Sequence, residues 1–225
     1  MKELTDKEVA GLLEARGAIV QGGHFVYTKG DHGPCYLDKH RLFLYSEDNA
    51  DLCVTLNTKL MQQMDVTRMG SDLSVVVGPE KAGILISSWL AYCLNKNYAR
   101  KSNETPFMSV FAEKNGDGFE LRRGFEKVVM AKGCIVAEDV LNTGGSAAQT
   151  VDAVKRAGGY PHTVVAIANR GKLTAKQLGV ARLVTLVDLD MDRYAPDDCP
   201  LCKSGVPVRT DLGHGREFLA KQKAA

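Results

Sequence analysis

Apolar residues in this chain fall into two alternating kinds of run. Short, mostly apolar stretches at Leu73–Val77, Phe107–Ala112, Ile135–Ala137, Val164–Ala168 and Leu183–Leu189 predict strands covered on both faces. Phe125–Met130 also has strand character. Between the strands, apolar positions recur at helical spacing. Leu52, Leu56, Leu60 and Met64 follow one another at i, i+4 behind the capping residues Ser46-Glu47-Asp48, and Val151, Val154 and Ala157 mark a second such face. A further helix is expected from about Ala82 to Leu94. At the start, Thr5 with Glu8 three residues on predicts a capping box, opening a helix that carries Val9, Leu12 and Leu13 and ends at Gly17. Ile19–Tyr27 reads as a strand broken by glycines, Gly30–Pro34 as a polar turn, and Tyr36-Leu37-Asp38 as extended. From Tyr194 the chain is irregular, with Pro196, Pro200 and Pro207, until a short helix near Glu217. Strand and helix in alternation predict an α/β fold: a mainly parallel sheet flanked by helices on both faces.

Composition narrows the function classes. A formal charge of +2 with no clustered basic stripe argues against nucleic acid or a membrane surface as partner. The longest apolar run, Ile84 to Leu94, is interrupted by Ser87, Ser88 and Tyr92 and is too short to span a bilayer. The opening Met1-Lys2-Glu3-Leu4-Thr5-Asp6 is polar where a secretory leader needs a basic and then apolar segment, so a cytoplasmic location is expected. Cys53, Cys93 and Cys134 lie in apolar runs and read as small buried hydrophobes. Cys199-Pro200-Leu201-Cys202 is a CxxC, but no second CxxC or paired His lies near it in sequence. A structural knuckle or labile disulfide is weighed there against metal or redox chemistry, and no protein ligand to a metal is expected.

In open α/β sheets, ligands sit beyond the carboxyl ends of the strands. Four polar or glycine-bearing segments follow predicted strands: Gly78 to Gly83, Glu113 to Arg123, Glu138 to Ser146, and Asn169-Arg170. The third says most. Cys134 to Ala137 reads as a buried strand, Glu138 and Asp139 are adjacent carboxylates, and Asn142-Thr143-Gly144-Gly145-Ser146 leads into an amphipathic helix. A helix start with glycines and hydroxyls attracts phosphate through unpaired N–H groups and the positive end of the helix dipole. The two carboxylates repel phosphate, so the ligand must also carry hydroxyls or a divalent cation. The Gly-Lys-Ser/Thr of a P-loop is absent, as is the G-x-G-x-x-G of a dinucleotide fold.

This segment resembles the phosphoribosyl diphosphate (PRPP) motif of the type I phosphoribosyltransferases. The resemblance runs through nearly the whole chain and is closest to the orotate phosphoribosyltransferases. It implies one domain over residues 1–225, with a small N-terminal hood from about 1–45 and an irregular tail from about 194–225. It assigns Glu138 and Asp139 to the ribose hydroxyls, Asp139 being grouped with the catalytic residues. Asn142, Thr143, Gly144, Gly145, Ser146 and Ala147 fall to the 5-phosphate, although Asn142 stands where the family usually has a small hydroxyl or aliphatic residue. Val77–Ile84 is similar to the family's pyrophosphate loop, giving Gly78, Pro79 and Lys81 to that group. Phe25–Tyr36 is similar to the hood segment, giving Lys29, Gly30 and Tyr36 to the base, with Lys29-Gly30 where Ser-Gly is usual. Arg170 matches the residue that holds the orotate carboxylate, a two-point contact that suits a guanidinium fork. Glu113–Arg123 corresponds to a mobile basic loop, with Lys114, Arg122 and Arg123 as the candidate catalytic cations.

The implied reaction joins orotate to PRPP, giving orotidine 5-monophosphate and pyrophosphate, with Mg2+ bound mainly through PRPP. The loop is shared between subunits in that family, which implies a homodimer. Two alternatives remain open from the sequence: a phosphoribosyltransferase for a purine or other base, and a PRPP-sensing regulator without turnover.

Overall fold

The computed structural model describes residues 1–64, 73–97 and 106–224. They form two compact units. The first comprises Met1–Val9 and Ser46–Leu189, the second Ala10–Tyr45 and Asp190–Ala225.

The first unit is built on a six-stranded sheet. Its strands are β5 (Leu73–Pro79), β6 (Met108–Asn115), β7 (Gly118–Leu121), β8 (Gly133–Leu141), β9 (Tyr160–Asn169) and β10 (Arg182–Asp188), in spatial order β10-β9-β8-β5-β6-β7. All neighbours are parallel except the β6–β7 hairpin at one edge. β5 is buried along its whole length, and β8 at all but one position, because helices cover the sheet. Helix α2 (Ser46–Gln63) buries Leu52, Leu56 and Leu60, the residues whose spacing predicted it. Helix α3 (Ala82–Asn97) follows β5, and α5 (Gly145–Arg156) follows β8 with Val151 and Val154 in the core.

The strand order fixes the position of a ligand site. From β5 the chain moves outward to β6 and β7, then returns to lay β8 on the opposite side of β5 before continuing to β9 and β10. The carboxyl ends of β5 and β8 therefore flank the point where the winding direction reverses, the usual crevice of an open parallel sheet. Every strand predicted at that edge is present.

One predicted strand is a helix. Phe125–Val129 forms α4, opened by Gly124 in a left-handed conformation (φ 84°) and closed where the Met130 N–H reaches the Glu126 carbonyl. Phe125, Val128 and Val129 are spaced to sit on one helical face, and in so short a run that spacing is indistinguishable from a strand's.

The second unit contains most of α1 (Asp6–Ala15) and two small antiparallel pairs. β1 (Ile19–Val20) pairs with β4 (Tyr36–Leu37), and β2 (Phe25–Val26) pairs with β3 (His32–Gly33). The glycine-broken run thus becomes two short strands, and the expected turn moves forward to Thr28–Asp31, closed by Gly30 N–H to the Tyr27 carbonyl at 2.9 Å. Tyr194 continues the β3 edge through two hydrogen bonds with His32, at 2.8 and 2.9 Å. The tail adds α6 (Pro200–Lys203) and α7 (Gly215–Ala224). Among the described residues, no helix is long and apolar enough to cross a membrane.

Candidate active site

β8 delivers both acids at its carboxyl end. Alternation along the strand sends the two side chains to opposite faces. Glu138 keeps 6% of its surface exposed, whereas Asp139 keeps none. Asp139 Oδ1 accepts the Val140 N–H at 2.7 Å, and Glu138 Oε1 accepts the Asp139 N–H at 3.2 Å. In this arrangement Asp139 braces the strand end, and Glu138 holds the solvent-facing edge of the pair.

The next residues make the cradle. Gly144 caps α5 in a left-handed conformation, φ 76°, and no side chain caps this helix start. A Cβ there would also stand 2.7 Å from a Leu173 methyl, so glycine is required twice over. Thr143, Gly145 and Ser146 face solvent and Ala147 is buried beneath them. The first-turn N–H groups of a helix have no carbonyl of their own helix to bond. With two hydroxyls beside them, they suit a phosphate.

Arg170 and the cradle are joined through the backbone. Leu141, the last residue of β8, accepts the N–H groups of Arg170 at 2.8 Å and Gly171 at 3.0 Å. A Cβ on Gly171 would collide with the Asn142 carbonyl oxygen, so the two loops touch along bare backbone. Asn169 closes the following turn through paired bonds with Leu173, at 3.0 and 3.1 Å. Arg170 is half-buried at this edge.

On the other side of the reversal point, Gly78 and Pro79 end β5 and Glu80-Lys81 turn into α3, with a cis peptide between Glu80 and Lys81. The Glu80 N–H donates to the Ala112 carbonyl of β6 at 2.9 Å, anchoring this turn to the sheet, and Lys81 is exposed. The residues expected for phosphate, ribose, pyrophosphate and the orotate carboxylate thus share one sheet edge.

The basic segment takes a different form from the loop implied by the resemblance. Glu113–Arg123 is a hairpin in which Lys114 pairs with Phe119 and Asn115 with Gly118. Arg123 is bonded to Glu113, and Arg122 lies 3.0 Å from Glu120 and 3.9 Å from Glu113. Gln149 of α5 holds the hairpin tip by donating to the Asp117 carbonyl at 2.7 Å. Both arginines are therefore occupied by carboxylates here, whereas Lys114 is exposed and has no carboxylate partner among the described residues. Lys29, Gly30 and Tyr36 belong to the second unit: Lys29 and Gly30 at the β2–β3 turn, Tyr36 on β4 with its ring 5.6 Å from that of Phe25.

Donor chemistry tests the fit of magnesium. Glu138 offers hard carboxylate oxygen at the edge of the site, but Asp139 is enclosed and committed to Val140. That set suits an ion whose ligands come mainly from substrate oxygens and water.

A mainly parallel sheet with a reversal point, an acidic pair and an uncapped helix start behind it defines the type I phosphoribosyltransferase class. No family model matches the chain. The orotate phosphoribosyltransferase of Thermotoga petrophila is 34% identical over 206 residues, covering 91% of this chain and 97% of its own. The crystal structure of orotate phosphoribosyltransferase from Aeropyrum pernix aligns with a TM-score of 0.60 and 22% identity over 80% of this chain and 93% of the other. The Mycobacterium tuberculosis H37Rv enzyme in complex with PRPP gives 0.56 and 22% over 82% and 96%. The chain belongs to the orotate phosphoribosyltransferase family.

Proposed function

We propose that this enzyme transfers the phosphoribosyl group of PRPP to N1 of orotate, yielding orotidine 5-monophosphate and pyrophosphate in pyrimidine synthesis. The observation that carries the reading is the succession at the end of β8: a carboxylate pair, then a helix start with no side-chain cap. Glu138 takes the ribose hydroxyls, while Asp139 fixes the strand end that presents it. The N–H groups of Gly145 to Ala147, with Thr143 and Ser146, hold the 5-phosphate. Gly78, Pro79 and Lys81 receive the pyrophosphate. Arg170 grips the orotate carboxylate, and the Lys29-Gly30 turn and Tyr36 complete base recognition.

The bond from C1 to pyrophosphate breaks ahead of full bonding to orotate N1, so positive charge develops on the ribosyl carbon and negative charge on the leaving group. Orotate N1 enters as an anion, and neither a covalent nucleophile nor a strong base is needed. Catalysis then consists of alignment and of cations aimed at the departing pyrophosphate. Lys114 is assigned that role, with Arg122 and Arg123 joining it once released from Glu113 and Glu120. Glu138 would offer one hard oxygen to a magnesium ion held mainly through PRPP, and such an ion would supply positive charge against the leaving group. A cytoplasmic homodimer with the hairpin loop shared between subunits completes the reading.

PRPP consumption assayed with orotate, adenine, guanine, hypoxanthine and uracil tests it. Turnover with orotate alone is expected. Turnover only with a purine would replace the base assignment, and turnover with none would indicate a sensor. Family membership favours neither of those readings.

A further inference from the structure

Four side chains of the second unit, unused above, converge on one point. His24 precedes β2, His32 opens β3, Cys199 precedes α6 and Cys202 lies within it. One ligand atom from each lies within 4.8 Å of every other. His24 Nε2 is 2.9 Å from His32 Nδ1 and 3.7 Å from each sulfur, and His32 Nδ1 is 3.3 Å from Cys202 Sγ. Around a tetrahedral zinc ion, nitrogens at about 2.0–2.1 Å and sulfurs at about 2.3 Å stand roughly 3.3–3.8 Å apart. The two edges from His24 to sulfur and the edge from His32 to Cys202 fall in that range, and the 2.9 Å between the imidazoles is somewhat shorter.

The surroundings also fit. His24, His32 and Cys199 are buried and both thiols are free, so no disulfide accounts for the pair. His24 Nδ1 lies 2.7 Å from the Val206 carbonyl, which can only accept a hydrogen bond. The proton is thereby fixed on Nδ1, and the Nε2 lone pair is turned toward the cluster, the outer-sphere arrangement of metal-binding histidines. The Phe218 ring stands edge-on to His32 at 4.6 Å and covers one side. A hydrogen bond between the two imidazoles would explain their own closeness, but not why both sulfurs meet at the same place.

We propose that His24, His32, Cys199 and Cys202 form a structural zinc site. Two thiolates and two imidazoles in tetrahedral reach select zinc over hard ions, and four protein ligands leave no open position for catalysis. No second ligand pair lies near the CxxC in sequence. The missing pair lies some 170 residues earlier in the chain.

The site ties both strands of the β2–β3 hairpin to the start of α6. Its consequence rests on the proposed function: the same hairpin carries Lys29-Gly30 at its tip, so the metal would fix the turn that receives the base. Such a site contributes folding energy directly to a unit with only two-residue strands.

The test uses the full-length chain, freed of any affinity tag and purified without chelator. Elemental analysis should find one zinc per chain. Cobalt exchanged for it should show the visible bands of a tetrahedral ion with thiolate charge transfer. Cys202→Ser, at an exposed position, and His32→Gln should each lose stoichiometric zinc while retaining the far-ultraviolet dichroism of the first unit.

The assignment is overturned if the wild type takes up no zinc in equilibrium dialysis against excess ion. It is also overturned if both variants keep the wild-type stoichiometry and cobalt spectrum, or if Cys199 and Cys202 are found disulfide-bonded in freshly reduced protein. Zinc removal should raise the KM for orotate and leave that for PRPP unchanged. An unaltered orotate KM removes the positioning role alone. Zinc-loaded wild type with no orotate turnover overturns the proposed function, and the metal assignment still stands or falls on elemental analysis and the cobalt spectrum.

Discussion

The backbone N–H of Arg170 donates to the carbonyl of Leu141 at 2.8 Å, so the guanidinium assigned to the base is anchored to the strand that carries Glu138 and Asp139. Arg170→Ala removes the fork but keeps this anchor. The KM for orotate should rise about 10- to 100-fold, as expected for hydrogen bonds to a charged group. PRPP affinity, read by calorimetry, should stay within about twofold. Arg170→Lys should recover little, because an ammonium cannot meet a carboxylate at two points. Equal loss toward both substrates would show that Arg170 supports the loop and does not select the base.

Gly171 offers a separate probe of the cradle. A methyl group at this position runs into the Asn142 carbonyl oxygen, backbone against backbone, with no flexible side chain to yield. Gly171→Ala should destabilise the fold by about 1–3 kcal/mol, seen as a shift in chemical-denaturation midpoint. Its kcat/KM for PRPP should fall more than that of a destabilised variant distant from the site. An unshifted midpoint would mean that the two loops separate easily.

How far the sequence carried this reading depends on the length of the pattern. β5, β8 and β9 were visible as apolar runs because burial on both faces leaves little polar alternation to confuse them, whereas β10, at the sheet edge, buries only Val184 and Leu186 and was marked by its apolar residues alone. The cradle was visible because its chemistry is written in consecutive residues. The strand expected at Phe125–Met130 is the helix Phe125–Val129, because so short a run does not separate a period of 2 from one of 3.6. The burial of Asp139 beside a more accessible Glu138 arises from alternation at a strand end and is not encoded in residue type. The cluster of His24, His32, Cys199 and Cys202 was out of reach for another reason: its halves meet only when the tail folds back on the hairpin.

Lys114 and Arg123 should separate cleanly in kinetics. Arg123 is bonded to Glu113, while Lys114 has no carboxylate partner among the described residues and is the cation assigned to developing charge. Lys114→Ala should lower kcat about 100-fold or more, the scale of losing one preorganised electrostatic partner. Arg123→Ala should cost less than about 1 kcal/mol in stability, since its side chain is 67% exposed. A larger kcat loss for Arg123→Ala than for Lys114→Ala would move the catalytic charge to the arginine.

The thiols should divide by reactivity. Burial pushes the Cys93 thiol up to about 11 and Cys134 up to about 12, and it raises Cys53 as well. At neutral pH these three hold almost no thiolate and should remain unmodified by a thiol-specific reagent in the native protein. They should react together when denaturant unfolds the sheet. Modification of Cys134 in native protein, located by peptide mapping, would contradict the burial of β8.

The start of α1 should respond to acid in a narrow way. Glu8 is held down to about 2 from an ordinary 4.5, first by the Lys2 ammonium and then by the N–H and hydroxyl of Thr5. The Glu8 N–H in turn bonds the Thr5 hydroxyl at 3.3 Å, completing the capping box. A carboxyl that is more acidic folded than unfolded stabilises the fold above its unfolded value, and that contribution is lost as pH falls from about 4.5 toward 2. Protection of the Val9 and Ala10 amides, taken relative to the intrinsic exchange rate at each pH, should therefore fall over that window while protection in β8 stays high. Glu8→Gln should abolish the pH dependence, and Glu8→Ala, which also loses the acceptor for the Thr5 N–H, should leave the helix start frayed at neutral pH. A Val9 protection factor that did not change between pH 5 and pH 2 would show that the box contributes nothing to the helix.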